Sequence, residues 1–200
     1  MAAVAETALL DVRLEQGGRD ASALHRFADR LVSAHAATPP GDGAAFLAHI
    51  EQLAAAEAQR REWSRQLQHL QRRSQRQRVR QLPDGGHQDV LFDLAAPLTT
   101  LMRHSLAVEV NIVANRYVDI APQGATGWAA LPLFLSLHAG EAGDGALAEA
   151  ALAPSPPRLV VIGGLSGTGK STLARLLGAR QRPAGGADDD GAAHRADAAL

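Results

Sequence analysis

Eight consecutive residues near the C-terminal end have the types and spacing of a phosphate-binding loop. They fit the pattern Gly-x4-Gly-Lys-Ser and comprise Gly164, Leu165, Ser166, Gly167, Thr168, Gly169, Lys170 and Ser171. Glycines let backbone N–H groups close around phosphates, and the positive end of a following helix adds to the attraction. The spacing predicts that Lys170 reaches the terminal phosphates and that the Ser171 hydroxyl binds Mg²⁺. We therefore expect a site for ATP and Mg²⁺ that extends to Thr172.

The residues on both sides of this loop favour the context that the motif needs. Residues 159–162 are continuously apolar, which is typical of a buried parallel strand, and Leu173, Leu176 and Leu177 fall at helical spacing. Lys170 is the only lysine among 20 basic residues. Its compact ammonium suits a phosphate site, for which the planar guanidinium of arginine is not equivalent. An accidental match in a chain of this length has a chance of about one per cent.

The composition limits the protein classes that the chain can represent. Its 200 residues suffice for one or two domains, and 46% of them are hydrophobic while only 4% are aromatic. A net charge of −1 argues against a protein whose whole surface is adapted to bind nucleic acid or a membrane. The lack of cysteine excludes disulfides and thiolate metal sites. No apolar run approaches ~20 residues and no basic leader is visible, so we expect a cytoplasmic protein.

Hydrophobic periodicity predicts a mainly α fold, in which a helical body precedes a C-terminal β-strand–P-loop–helix unit of incomplete α/β type. Asp20 is expected to cap a helix over 21–37. A second helix starts near Phe46 and runs into residues 60–80, residues 82–86 form a turn, and residues 89–93 could form a short strand. Further helices are predicted over 3–16, 98–120, 128–138 (with Pro132 in its first turns) and 146–153.

Composition shifts divide the chain into four parts. Residues 154–157 (Pro-Ser-Pro-Pro) read as a stiff linker between a helical region, 1–153, and the P-loop unit, 158–180. Residues 181–200 are rich in alanine, glycine and aspartate without periodicity, which predicts a disordered tail.

Residues 60–80 contain eight arginines and one acid, Glu62. One interpretation is a basic helix that docks on RNA, DNA or an acidic partner. The other is a solvated helix face, since the apolar edge stops at Leu70 and the pattern beyond it is polar all round. The lack of interleaved aromatic residues favours the solvated face, so nucleic acid is not the expected partner.

Three stretches resemble bacterial two-part proteins that join an aminoglycoside-phosphotransferase-like kinase domain to a C-terminal P-loop kinase domain, often described as an AAA-type ATPase. They are residues 158–175, residues 111–119 with 131–137, and residues 21–41. The resemblance implies phosphoryl transfer from ATP to a small molecule that the sequence does not identify.

The same resemblance implies roles for two carboxylates. His87-Gln88-Asp89 is the nearest match to the family's His-Gly-Asp catalytic loop, which would make Asp89 the base and Asp93 a Mg²⁺ ligand. The spacing between them leaves no room for the loop's asparagine and hairpin, and the small ATP-holding lobe has no counterpart. Two alternatives to a kinase or ATPase therefore stay open: a non-enzymatic helical binding module that uses residues 60–80, and an inactive truncated fragment.

Overall fold

The computed structural model describes residues 20–153 together with Gly167, Gly169, Lys170, Thr172 and Leu173. The predictions for residues 3–16, 154–157, 159–162 and 181–200 lie outside the described residues. Within residues 20–153 the chain is mainly α, as predicted, with a single two-stranded antiparallel sheet.

The described elements follow one another along the chain with short connections. The helices are α1 (Ala21–Ala37), α2 (Gly43–Leu53), α3 (Glu57–Gln75), α4 (Val90–Arg103), α5 (Ala107–Ile120), α6 (Gly124–Glu141) and α7 (Gly145–Leu152). Between α3 and α4, strand β1 (Val79–Gln81) pairs with β2 (His87–Asp89), with Val79 opposite Asp89. The turn predicted over 82–86 connects these two strands and is confirmed.

Helix α1 matches its predicted bounds. The Asp20 carboxylate accepts the N–H of Ala23, which satisfies one of the free donors at the start of the helix. Leu24, Phe27 and Leu31 are buried along one face, as the spacing predicted.

The prediction of one helix from Phe46 into residues 60–80 is wrong. The chain leaves helical geometry between α2 and α3, and α3 begins again with its own cap. The Gln59 side chain accepts the N–H of Ala56, so it supplies the hydrogen bond that starts the new helix. The sequence does not predict this break, because residues 54–56 are all alanine, which favours helix.

The single helix predicted over 98–120 is also two helices. Helix α4 ends at Arg103, and Ser105 adopts a φ of 57°, a left-handed conformation that helices commonly use to terminate. The short strand predicted over 89–93 is wrong as well. The strand is β2, and Asp89 caps α4 by accepting the N–H of Leu91 at 2.8 Å.

Helix α6 begins earlier than predicted, at Gly124, so Pro132 lies in its middle rather than in its first turns. Proline has no N–H for the usual bond to the residue four positions before it, so α6 continues without that bond. Helix α7 agrees with its prediction to within one residue at each end.

The core joins the helices around three phenylalanine rings. Phe46 of α2, Phe92 of α4 and Phe134 of α6 meet edge to face with ring centroids 5.4–6.1 Å apart. Burying each ring contributes about 1.5–3 kcal/mol. Helix α6 packs against α3, α4 and α7, while α1 packs against α5. This arrangement brings one end of α3, the β-hairpin and the start of α4 together.

Candidate functional site

The described residues of the predicted phosphate-binding loop have the backbone of a glycine turn followed by helical residues. Gly167 and Gly169 adopt φ values of 80° and 78°, in the left-handed region that favours glycine. Lys170 is the first helical residue after them, and the N–H of Leu173 donates to the carbonyl of Gly169 at 2.9 Å. Thr172 is helical and exposed. The other predicted loop residues lie outside the described part of the chain: Gly164, Leu165, Ser166, Thr168 and Ser171.

Asp89, predicted as a catalytic base, lies in a buried ion pair. It is 1% exposed, and the Arg73 guanidinium donates to both carboxylate oxygens, from Nε at 2.8 Å and from Nη2 at 2.6 Å. The same Nη2 donates to the Gln123 side chain at 3.1 Å. One guanidinium thus connects α3 with β2 and with the residue that precedes α6.

Close approach of α6 to this pair requires a glycine. A Cβ on Gly127 would lie 2.5 Å from the Cβ of Gln123 and 3.0 Å from Nη1 of Arg73. The first turn of α6 can therefore close over the ion pair only because residue 127 has no side chain. Since both Asp89 oxygens accept hydrogen bonds here, a role as base would require this pair to open, and that role stays a prediction.

Asp93, predicted as a Mg²⁺ ligand, belongs to a second buried polar chain. One carboxylate oxygen lies 2.8 Å from His35 Nε2, and the other accepts from the Gln88 side chain at 2.9 Å. His35 Nδ1 lies 2.8 Å from the hydroxyl of Tyr117. These contacts tie α1, β2, α4 and α5 together.

The hydrogen-bond geometry indicates which groups can donate within this set of buried polar side chains. Burial, and next the negative charge of Asp89, raise the pKa of the Tyr117 hydroxyl, so it keeps its proton at neutral pH. The hydroxyl can then donate to Nδ1 of His35, while Nε2 carries the ring proton and donates to Asp93. Among the described residues, no group of three or more histidines, aspartates and glutamates is arranged to hold a metal ion.

A separate surface cleft of about 400 Å³ lies where α2 ends and α3 begins, against α6 and α7. Small and aliphatic residues form most of its lining, and Glu141 and Glu149 are its ionisable members. Its buried polar group, Gln59, already donates to the carbonyl and hydroxyl of Ser136. Neither Asp89 nor Asp93 lines the cleft, so it is distinct from both buried carboxylates.

The sequence did not predict Arg73, His35 and Tyr117 as members of these networks. Arg73 was counted in a stretch that is polar all round, yet it is 2% exposed. A signal did exist, because Trp63, Leu70 and Arg73 share one helix face, so the buried side of α3 continues past Leu70. His35 likewise lies four residues after Leu31 on the apolar face of α1.

Comparisons of the chain with protein-family models, with curated proteins and with solved structures find no match. The family resemblance therefore stays a prediction that rests on the residues that carry it. Within the described part of the chain, no helix combines the length and apolar character needed to cross a membrane.

Proposed function

We propose that the chain binds ATP with Mg²⁺ through residues 164–172 and acts as a P-loop kinase or ATPase. The observation that carries the proposal is the pair of glycines with positive φ directly before the helical turn at Lys170. Glycines with positive φ just before a helix are typical of loops whose backbone N–H groups surround a phosphate at the positive end of the helix. The motif supplies the matching side chains in the expected order.

Each loop residue has a definite part in this proposal. The N–H groups of Gly167 and Gly169 hold phosphate oxygens, Lys170 neutralises charge on the terminal phosphates, and Ser171 binds Mg²⁺. The acceptor of the phosphoryl group is a small molecule if the family resemblance holds, and water if the protein is an ATPase. A cytoplasmic location belongs to the same proposal.

Equilibrium binding of a fluorescent ATP analogue with Mg²⁺ tests the proposal. A charge-assisted contact from Lys170 is worth about 1.5–3 kcal/mol, so Lys170→Ala is expected to weaken binding by about ten- to a hundredfold. Lys170→Arg keeps the charge but changes its shape, and should recover only part of the affinity. Equal binding by the wild type and both variants would show that the loop is not the nucleotide site.

The resemblance-based role of Asp89 and Asp93 has less support from the geometry. Both carboxylates already hold structural partners, so a substrate hydroxyl or Mg²⁺ would have to displace Arg73 or His35. We therefore assign the chemistry to the loop. A variant Asp93→Asn that folds and retains ATP turnover would agree with this assignment, while selective loss of turnover would support the second site.

A further inference from the structure

Helix α3 presents four arginines on one exposed face. At 3.6 residues per turn, Arg61, Arg65, Arg72 and Arg76, the residue that caps the helix, fall within about 60° of one another around its axis. Gln68 lies about 20° beyond one edge of this sector and is also exposed. The buried residues Trp63 and Leu70 lie on the opposite side. We call the exposed set, Arg61, Arg65, Gln68, Arg72 and Arg76, the arginine face.

The arginines of this face are exposed and make no strong contacts that stabilise the fold. The side chains of Arg61 and Arg65 are 72% and 77% exposed, and their contacts to Glu57 at 3.8 Å and Glu62 at 3.0 Å are surface ion pairs within one helix. Such pairs contribute little and can be replaced by another anion. Arg72 and Arg76 are exposed and have no carboxylate partner among the described residues. By contrast, Arg73 is held by Asp89, and Arg78 donates to the carbonyl of Pro122.

Length and chemistry favour a phosphate backbone as the partner. The face runs about 22 Å from Arg61 to Arg76, a length alongside which one strand of duplex DNA carries about six phosphates. Guanidinium groups bind phosphate oxygens through two parallel hydrogen bonds. A single strand would need aromatic rings for stacking, and the tryptophan of α3 is buried in the core. A membrane would need an apolar helix side, which α3 already uses for packing.

We propose that the arginine face binds the phosphate backbone of double-stranded nucleic acid without sequence preference. The sequence alone favoured a solvated surface, because no aromatic residues are interleaved with the arginines of 60–80. In the fold, Arg73 is buried and Arg78 bonds to a backbone carbonyl, while the four arginines of the face form one exposed row. This binding is independent of the nucleotide loop, so Lys170→Ala should leave it unchanged.

Fluorescence anisotropy with labelled 20-base-pair DNA and RNA duplexes, measured on the full chain between 50 and 200 mM KCl, tests this proposal. Four phosphate contacts predict a slope of log affinity against log salt of about −3.6, or about a hundredfold loss of affinity over that range. The variant Arg72→Gln with Arg76→Gln should halve the slope and weaken binding at 50 mM KCl by at least about tenfold. Glutamine keeps helix propensity, so the variant should retain the circular dichroism spectrum of the wild type.

Matched controls distinguish binding by the arginine face from a general effect of positive charge on the protein. Arg26→Gln with Arg103→Gln removes two exposed arginines from α1 and α4, and should leave the slope unchanged. Equal slopes for the two double variants, or no duplex binding at 50 mM KCl, would overturn the proposal. Binding of a poly-glutamate peptide without binding of either duplex would overturn it too, and would identify an acidic protein as the partner. A preference for the RNA or the DNA duplex would identify which backbone the face fits.

Discussion

Replacing Arg73 by methionine is expected to destabilise the helical body more than any other arginine substitution in α3. Methionine fills much of the same space but leaves the Asp89 carboxylate charged and without its two strongest donors. Breaking a buried ion pair from one side costs about 3–5 kcal/mol. A domain of ordinary stability has about 5–15 kcal/mol in total, so a large share of it would be lost.

A double-mutant cycle isolates the interaction itself. Asp89→Asn removes the charge but keeps a side-chain oxygen that can cap α4 at Leu91, so the helix start is preserved. Arg73→Met and Asp89→Asn together leave neither charge buried alone, and should cost less than the sum of the single changes by about 2 kcal/mol or more. Urea denaturation followed by circular dichroism gives the four free energies of unfolding, those of the wild type, the two single variants and the double variant.

The neighbouring arginine supplies the control for this cycle. Arg72 is exposed, and Arg72→Met should change the free energy of unfolding by no more than about 0.5 kcal/mol. If Arg73→Met costs as little as Arg72→Met, or if the two changes at 73 and 89 are strictly additive, the ion pair does not hold the hairpin, α3 and α4 together. The reasoning about the buried network would then be wrong.

Two further predictions concern the same body. Tyr117→Phe removes the hydroxyl that bonds to His35 and should lower the free energy of unfolding by about 1–2 kcal/mol in urea, and a neutral effect would show that His35 needs no donor there. Burial lowers the pKa of His138 in the folded protein, so the unfolded chain binds more protons as the pH falls through about 6.5. The urea concentration at the unfolding midpoint should therefore decrease as the pH is lowered from 7.5 to 5.5. In the variant His138→Gln this decrease should be smaller.

Local signals were enough to predict some elements. Helix α1 has both a capping aspartate, Asp20, and a complete apolar face, so its bounds follow from residues within the helix itself. The glycine turn before Lys170 was likewise predictable, because the motif fixes which positions must be glycine. In both cases the determining residues are neighbours in the chain.

Other features depend on residues far apart in the sequence. Arg73 and Asp89 are 16 positions apart, and His35 and Asp93 are 58 apart, so no periodicity joins them. A charged residue such as Arg73 is expected to be exposed, and it is buried here because the Asp89 carboxylate pairs with it. The end of α4 at Arg103 was not predicted for a different reason, since Ser105, which adopts the positive φ just beyond it, carries no glycine or proline signal.

The central claim, that the glycine turn at Lys170 forms an ATP site, is tested most directly by calorimetric titration of ATP with Mg²⁺ into Gly169→Ala and Gly143→Ala. The two glycines have nearly equal φ values, 78° and 75°, and a Cβ at either would meet no described atom within 4 Å. Alanine therefore strains the backbone equally at both positions. We predict that Gly169→Ala weakens ATP binding by about tenfold or more while Gly143→Ala binds as the wild type does. Equal affinities for the two variants, or no saturable binding by the wild type, would contradict the account.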